Sequence, residues 1–248
     1  MPSTLQLRFG TANLDDLVEE WSEEYDRRDN VVLLPRLDGA KIDVGKFGAR
    51  RIKVRGQLVG ATLAATQTSW DAIVKELNNG KQYLTIYNDR RIEAQRDSLS
   101  YRYRAGTPLT VVLFSVGFVA AAPFWESTSL TTTPQVISSS PTTFGVTNGG
   151  SAYARPKITL TADQGNTITS VTFENTTNGK KWTWSGTVAT SKALVVDTDV
   201  GTVKNDGVDA LATFNGDLVQ FILDAGSNSL KYTGQNCTIS VEHRDRYA

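Results

Sequence analysis

The side chains best suited to chemistry lie in the second half of the chain: a run of carboxylates, one histidine, one cysteine and a tryptophan pair. Asp197 and Asp199 stand two apart after an apolar segment, and Asp206 and Asp209 follow closely. Two carboxylates flanking a glycosidic bond could hydrolyse it, and several together could hold calcium through oxygen. The Asp-x-Asp-x-Asp-Gly loop is missing, however, and aspartate is favoured in turns, so turn chemistry is the stronger reading. His243 is the only histidine and lies near the C-terminus. One histidine supplies one ligand, which excludes a polyhistidine metal site; a terminal polar residue is expected. Cys237 falls on the same strand face as His243 but about 20 Å away along the strand, and is expected as a small buried filler. Trp182 and Trp184, separated by Thr183, share a strand face. They could form a sugar-stacking platform, but core packing is favoured because tryptophan usually buries most of its area. Neither Gly-x-Gly-x-x-Gly nor Gly-Lys-Ser/Thr occurs, so no phosphate cradle is expected. These readings predict a protein that is not an enzyme, with no cofactor and no metal.

Charge and composition narrow the class. The 248 residues carry 26 basic and 26 acidic side chains. Residues 1–125 hold 17 basic and 15 acidic residues, and residues 126–248 hold 9 and 11. Neither half has the cationic excess that phosphate neutralisation requires, which argues against nucleic-acid binding. The drop in charged residues between halves predicts two domains, 1–125 and 126–248. A single cysteine allows no internal disulfide, consistent with synthesis in a reducing cytoplasm. Met1 to Phe9 lacks the basic start and apolar core of a signal peptide. Leu109 to Val119 is shorter than the roughly 20 residues of a membrane helix, so no membrane role is expected.

The elements that would position these groups can be read from periodicity. Leu5 to Phe9 alternates and reads as a strand. Leu14, Leu17, Val18, Trp21 and Tyr25 recur at helical spacing, with a loop hugging the core as the alternative. Among them sit Asp15, Asp16, Glu19, Glu20, Glu23 and Glu24, most simply a solvated face. In Arg50 to Gly56, Ile52 and Val54 face one way while Arg51, Lys53 and Arg55 face the other. A helix is expected from a Thr68 cap through Trp70, Ile73, Val74 and Leu77, with Gly80 as its C-terminal cap. Strands follow at Gln82 to Tyr87, Arg91 to Gln95, Ser98 to Arg104 and Leu109 to Phe118, with an Asn88-Asp89 turn. Tyr101 and Tyr103 share one face, and Arg102 and Arg104 the other. The last strand has no polar side until Ser115, so it should be covered on both faces. Residues 126–155 should form short strands with loops. Beyond them, strand candidates at Lys157 to Thr161, Thr169 to Glu174, Lys181 to Trp184, Ala193 to Asp197, Leu218 to Leu223, Ser229 to Tyr232 and Cys237 to His243 alternate with Asn-Gly and Asp-Gly turns. Short strands with frequent turns predict a β-sandwich.

The order of segments carries a family likeness. Arg50-Arg51-Ile52-Lys53-Val54-Arg55-Gly56 is followed by a short capped helix, a sheet and Pro123-Phe124-Trp125. Then come Arg155-Pro156-Lys157-Ile158-Thr159-Leu160 and, near the end, Leu223-Asp224-Ala225-Gly226-Ser227-Asn228-Ser229-Leu230. Over nearly its whole length the chain resembles the distal tail protein (Dit) family of long-tailed bacteriophages, the siphophages. The resemblance implies a mainly β fold with one short helix or two, an α+β N-terminal domain and a galectin-like C-terminal β-sandwich. It also implies a virion protein whose N-terminal domains form a hexameric ring at the distal end of the tail tube. Such a ring joins the tube protein to the hub or tip protein and lets DNA pass without specific binding. The acidic residues 15–29 and the cationic Arg51, Lys53, Arg55, Arg102 and Arg104 are then candidates for the ring interface or the lumen. The rival readings are a carbohydrate-binding host-recognition module and a cell-wall glycan hydrolase.

Overall fold

The computed structural model describes residues 6–15, 17–27, 30–33, 40–43, 47–104 and 110–248. Asp16, Asp29 and Leu109, singled out above, lie outside the described residues. The chain divides into two compact units, Met1–Trp125 and Glu126–Ala248. The fold is mainly β, with one α-helix among the described residues.

The first unit contains strands β1 (Leu7–Phe9), β2 (Ala12–Asn13), β3 (Val18–Arg27), β4 (Asn30–Leu33), β5 (Ala40–Asp43) and β6 (Phe47–Val59). Helix α1 (Leu63–Leu77), β7 (Gln82–Ile86), β8 (Arg90–Tyr103) and β9 (Val111–Ala120) follow. The main sheet runs β2-β1-β7-β8-β9-β6-β3, while β4 and β5 pair separately. Long β8 pairs with β7 through Ala94 and with β9 from Gln95 onward. The register shift between Arg96 and Ser98 marks where it bends. The two arms enclose a core in which Phe9 meets Phe118 at 4.9 Å between ring centroids. Alternation explains the burial: Ile52 and Val54 of β6 and Val112, Phe114, Val116 and Phe118 of β9 all point inward.

Two expectations on local structure are corrected. Residues 18–27 form strand β3, not a helix. Helical spacing and strand alternation overlap there, and pairing with the exposed flank of β6 decides the outcome; Trp21 and Glu23 turn inward while Ser22 and Glu24 turn out. Helix α1 begins at Leu63, ahead of the predicted Thr68 cap. Thr62 is the N-cap, its Oγ1 accepting from Ala65 N at 3.2 Å, and Thr68 instead donates to Ala64 O at 3.0 Å. The C-cap is Asn78, and Gly80 follows it at φ +77°. The apolar stripe is as read: Trp70 packs on Tyr101 and Phe114, with centroids 5.2 and 5.4 Å away.

After β10 (Trp125–Ser127), the second unit comprises β11 (Thr131–Ile137), β12 (Thr142–Asn148), β13 (Lys157–Ala162), β14 (Ile168–Asn175), β15 (Lys180–Val188), β16 (Ala193–Asp197) and β17 (Thr202–Asn205). It continues with β18 (Val208–Asp209), a 3-10 turn at Leu211–Thr213, β19 (Phe214–Gly216), β20 (Gly226–Gly234), β21 (Cys237–His243) and β22 (Arg246–Tyr247). Two sheets, β11-β21-β13-β16-β17-β18 and β12-β20-β14-β15-β19, share one continuous apolar core. This is the sandwich that the turn spacing predicts. The Asp206-Gly207 turn links β17 to β18 with both residues at positive φ, +48° and +81°, the twist a two-residue hairpin requires.

Leu218 to Leu223, expected as a strand, is a turn segment with a single bridge from Leu223 to Ala154. Asp217 Oδ1 accepts from Val219 N and Gln220 N at 2.9 and 3.1 Å and curls the chain. Buried Asn175 donates to Ile222 O at 2.9 Å and to Asn228 Oδ1 at 3.0 Å, while Asn148 donates to Leu223 O at 3.3 Å. Side-chain amides thus replace the ladder bonds this segment lacks, as buried backbone groups demand.

Candidate assembly face

Each residue singled out for chemistry in the second unit has a structural task. Asp197 Oδ1 accepts from Asp199 N and Val200 N, both at 3.0 Å. Asp199 pairs with Arg246 at 2.8 Å, Asp206 with Lys192 at 2.9 Å, and Asp209 accepts from Leu211 N at 3.1 Å. No group of three or more potential metal ligands occurs among the described residues. Cys237 is fully buried, and burial pushes its thiol pKa up, away from reactivity. His243 is a correction: it is buried at the inward end of β21, not a solvated terminal residue. Its Nε2 lies 3.3 Å from Asp245 Oδ1, an oxygen that also accepts from Gly149 N at 2.9 Å. Burial lowers the imidazole pKa, and the nearby Asp245 opposes that shift.

Trp182 and Trp184 are also corrected as a sugar platform, at 1% and 3% exposure. Trp182 stacks on Phe173 at 5.3 Å with an interplanar angle of 12° and touches Phe214 and Phe221. Their side of β15 faces the opposite sheet, so alternation sends both rings into the core.

In the first unit several of the predicted charges gather on one surface, while Glu23 turns inward. The outer sides of β3, β6, β9 and the second half of β8 form a four-stranded face. Its rows follow from register: Glu24, Arg51, Val119 and Gln95; Ser22, Lys53, Gly117 and Ser98; Glu20, Arg55, Ser115 and Ser100; and Gln57, Leu113 and Arg102. Acidic β3 and basic β6 are therefore cross-strand neighbours within one chain. Arg55 reaches Glu20 at 3.3 Å and Arg51 reaches Asp97 at 3.6 Å. Exposed pairs of this kind contribute at most about 1 kcal/mol each, but they largely neutralise the β6 row. Asp15 lies 3.7 Å from Arg8, away from this row. Among the described residues, Lys53, Arg102, Arg104, Glu19 and Glu24 have no ion-pair partner.

Glycine at 117 shapes the face. A Cβ there would stand 2.4 Å from Ser98 Oγ, so the serine hydroxyl fills space that a side chain at 117 would need. The result is a depression of about 230 Å³ bordered by Ser22, Glu24, Arg51, Lys53 and Asp97. The outer side of β9, expected to be covered, is only half-buried within the chain: Val111, Leu113 and Val119 remain partly open.

Behind the face lies a feature the sequence reading missed. Arg50, at 2% exposure, pairs with Glu23, whose side chain is 20% exposed. Trp125 Nε1 donates to the same carboxylate at 3.1 Å and 3.2 Å, and the Trp125 ring meets Trp21 edge-on at 6.3 Å. Alternation along β6 was the available signal, because Arg50 is in phase with Ile52 and Val54. The inward glutamate was hidden by the helical reading of β3.

The likenesses agree with this architecture. Residues 149–247 match the family model described as the siphovirus-type tail component, C-terminal domain. The crystal structure of Dit from phage SPP1, a protein of the hub adsorption apparatus of phages infecting Gram-positive hosts, shares 15% identity. It superposes with a TM-score of 0.75, covering 98% of this chain and 99% of that one. A chain of the phage p2 baseplate in its strontium-activated conformation has 9% identity and a TM-score of 0.49, covering 96% of this chain and 97% of that one. A chain of a native gene transfer agent virion has 11% identity and a TM-score of 0.36, covering 52% of this chain and 98% of that one. No curated protein matches by sequence. Among the described residues, no helix is long and apolar enough to cross a membrane.

Proposed function

We propose that this chain is a member of the Dit family of siphovirus tail components and works as a structural ring protein at the distal end of a phage tail tube. Six copies join through their first units, the tube protein docks on one side, and the hub or tip protein docks on the other. DNA passes through the centre. The second unit, a galectin-like sandwich, projects outward. Shape and self-association are the activity, no reaction is catalysed, and the protein resides in the virion after synthesis in the host cytoplasm.

The observation that carries this reading is the match of residues 149–247 to the tail-component family. The near-neutral charged face supports it. A passage for DNA must not grip phosphates, and grip grows with each unneutralised cation; here Arg51 and Arg55 are answered by Asp97 and Glu20. The carbohydrate-binding alternative loses its main support with the burial of Trp182 and Trp184. Negative-stain electron microscopy of the concentrated full-length protein tests the proposal. Hollow rings are expected; particles of single-chain size at every concentration would overturn it.

A further inference from the structure

The two broad faces of the sandwich differ in charge. On the face of β11-β21-β13-β16-β17-β18, Glu242, Lys157 and Asp197 stand side by side in register, and Lys157 pairs with Glu242 at 3.2 Å. On the face of β12-β20-β14-β15-β19, one row reads Thr143, Lys231, Glu174 and Lys181, and the next reads Thr233, Thr172, Thr183 and Asn215. Ser170 and Ser185 form a third row. Lys180 stands exposed beside Lys181. Among the described residues, Lys180, Lys181 and Lys231 make no ion pair, so three ammonium groups meet the single carboxylate of Glu174. The hydroxyls of Thr172, Thr183, Thr233 and Ser185 make no hydrogen bond to another described residue. The tryptophans, Phe173, Tyr232, Leu230 and Val171 of these strands turn the other way, into the core.

We propose that this second face binds a phosphate-bearing polyol or sugar chain of the host cell envelope. The class of chain follows from the face itself, and its origin on a host cell rests on the tail-protein reading above. Three features select the occupant. Charge is the first: unneutralised lysines attract phosphate as point charges. Hydroxyls are the second. Neighbouring strands lie about 4.8 Å apart, so the threonine row repeats a group that both donates and accepts, matched to the hydroxyls of a polyol. The third is what the outward rows omit. Stable protein interfaces centre on aromatic and arginine anchors, and single-stranded nucleic acid stacks on aromatic platforms; these rows supply neither. Recognition of this kind needs no tryptophan stacking, so the burial of Trp182 and Trp184 does not count against it.

The test uses the full-length chain and isothermal titration calorimetry at low salt, with poly(glycerol phosphate) as the probe and melting curves to verify that each variant folds. Binding is expected, and it should weaken as salt is raised. Combining Lys181→Glu with Lys231→Glu is expected to weaken it about tenfold or more. Lys204→Glu, an exposed lysine on the other face, should leave it unchanged. Thr172→Val with Thr183→Val removes hydroxyls at nearly constant shape; it should weaken poly(glycerol phosphate) about fivefold and leave inorganic polyphosphate binding as it was. Absence of binding, an equal loss from Lys204→Glu, or tighter binding of neutral dextran or single-stranded DNA overturns the proposal. Each of these results leaves the ring reading standing, because ring assembly is read separately by electron microscopy.

Discussion

The two units manage their sheet edges in different ways. In the sandwich, β18 has two residues and β19 three, and β11 carries Pro134, which has no N–H to donate. Only β12, at seven residues, is a long plain edge there. In the first unit, no strand among the described residues pairs with the outer edge of ten-residue β3, which is loaded with glutamate. The cores differ as well. The sandwich centres on Phe173, Trp182, Phe221 and Tyr232, an apolar interior that is complete within one chain. The first unit holds a part-buried ion pair beneath an outer face whose apolar strand stays half-covered. A unit sealed on itself suits independent folding, and a unit with a long open edge suits assembly.

This contrast can be broken from the sandwich side first. Trp182→Ala removes one of the two tryptophans of that core and should cost about 3–5 kcal/mol. Differential scanning calorimetry should show the loss in the sandwich transition, with ring mass retained under native conditions; loss of rings at a temperature where the sandwich is still folded would contradict the division of labour. Arg50→Ala, in the other unit, strands Glu23 without its guanidinium. Removing the partner of a part-buried, hydrogen-bonded charge costs about 1–3 kcal/mol, and here the drop should appear in the first unit's denaturation midpoint.

A smaller effect concerns pH. His243 has a folded pKa below its ordinary value because it is buried. The unfolded chain therefore takes up the proton first, and the contribution present above about pH 6.5 is lost as pH falls toward the folded pKa. Urea midpoints measured between neutral pH and pH 5 should decline less in His243→Asn than in wild type; parallel declines would show that His243 contributes nothing to the slope. Smallest of all, Glu24→Gln should leave monomer stability within about 0.5 kcal/mol, the range of ordinary surface changes. A larger loss would mean that Glu24 has a stabilising role inside its own chain.

Much of this architecture was legible because burial follows alternation. The faces of β6, the apolar stripe of α1 and the turn-punctuated sandwich could all be read from residue types alone. Legibility failed where local spacing fits two periods. Leu14, Leu17, Val18, Trp21 and Tyr25 satisfy a helix, yet cross-strand pairing with β6 makes Val18–Arg27 a strand. It failed again where side chains replace backbone partners, since nothing in Leu218 to Leu223 reveals that Asp217 and Asn175 will hold it as a turn. The charges of the candidate face were recognised by type. Their intrachain pairing was not, because register between distant strands depends on the whole sheet.

The most direct measurement is cryo-electron microscopy of the virion that encodes this chain, with an epitope tag on the chain located by antibody. The account predicts label in a closed ring at the distal end of the tail tube, around an open centre. Label along the tube, at the head, or absent from the particle would contradict it.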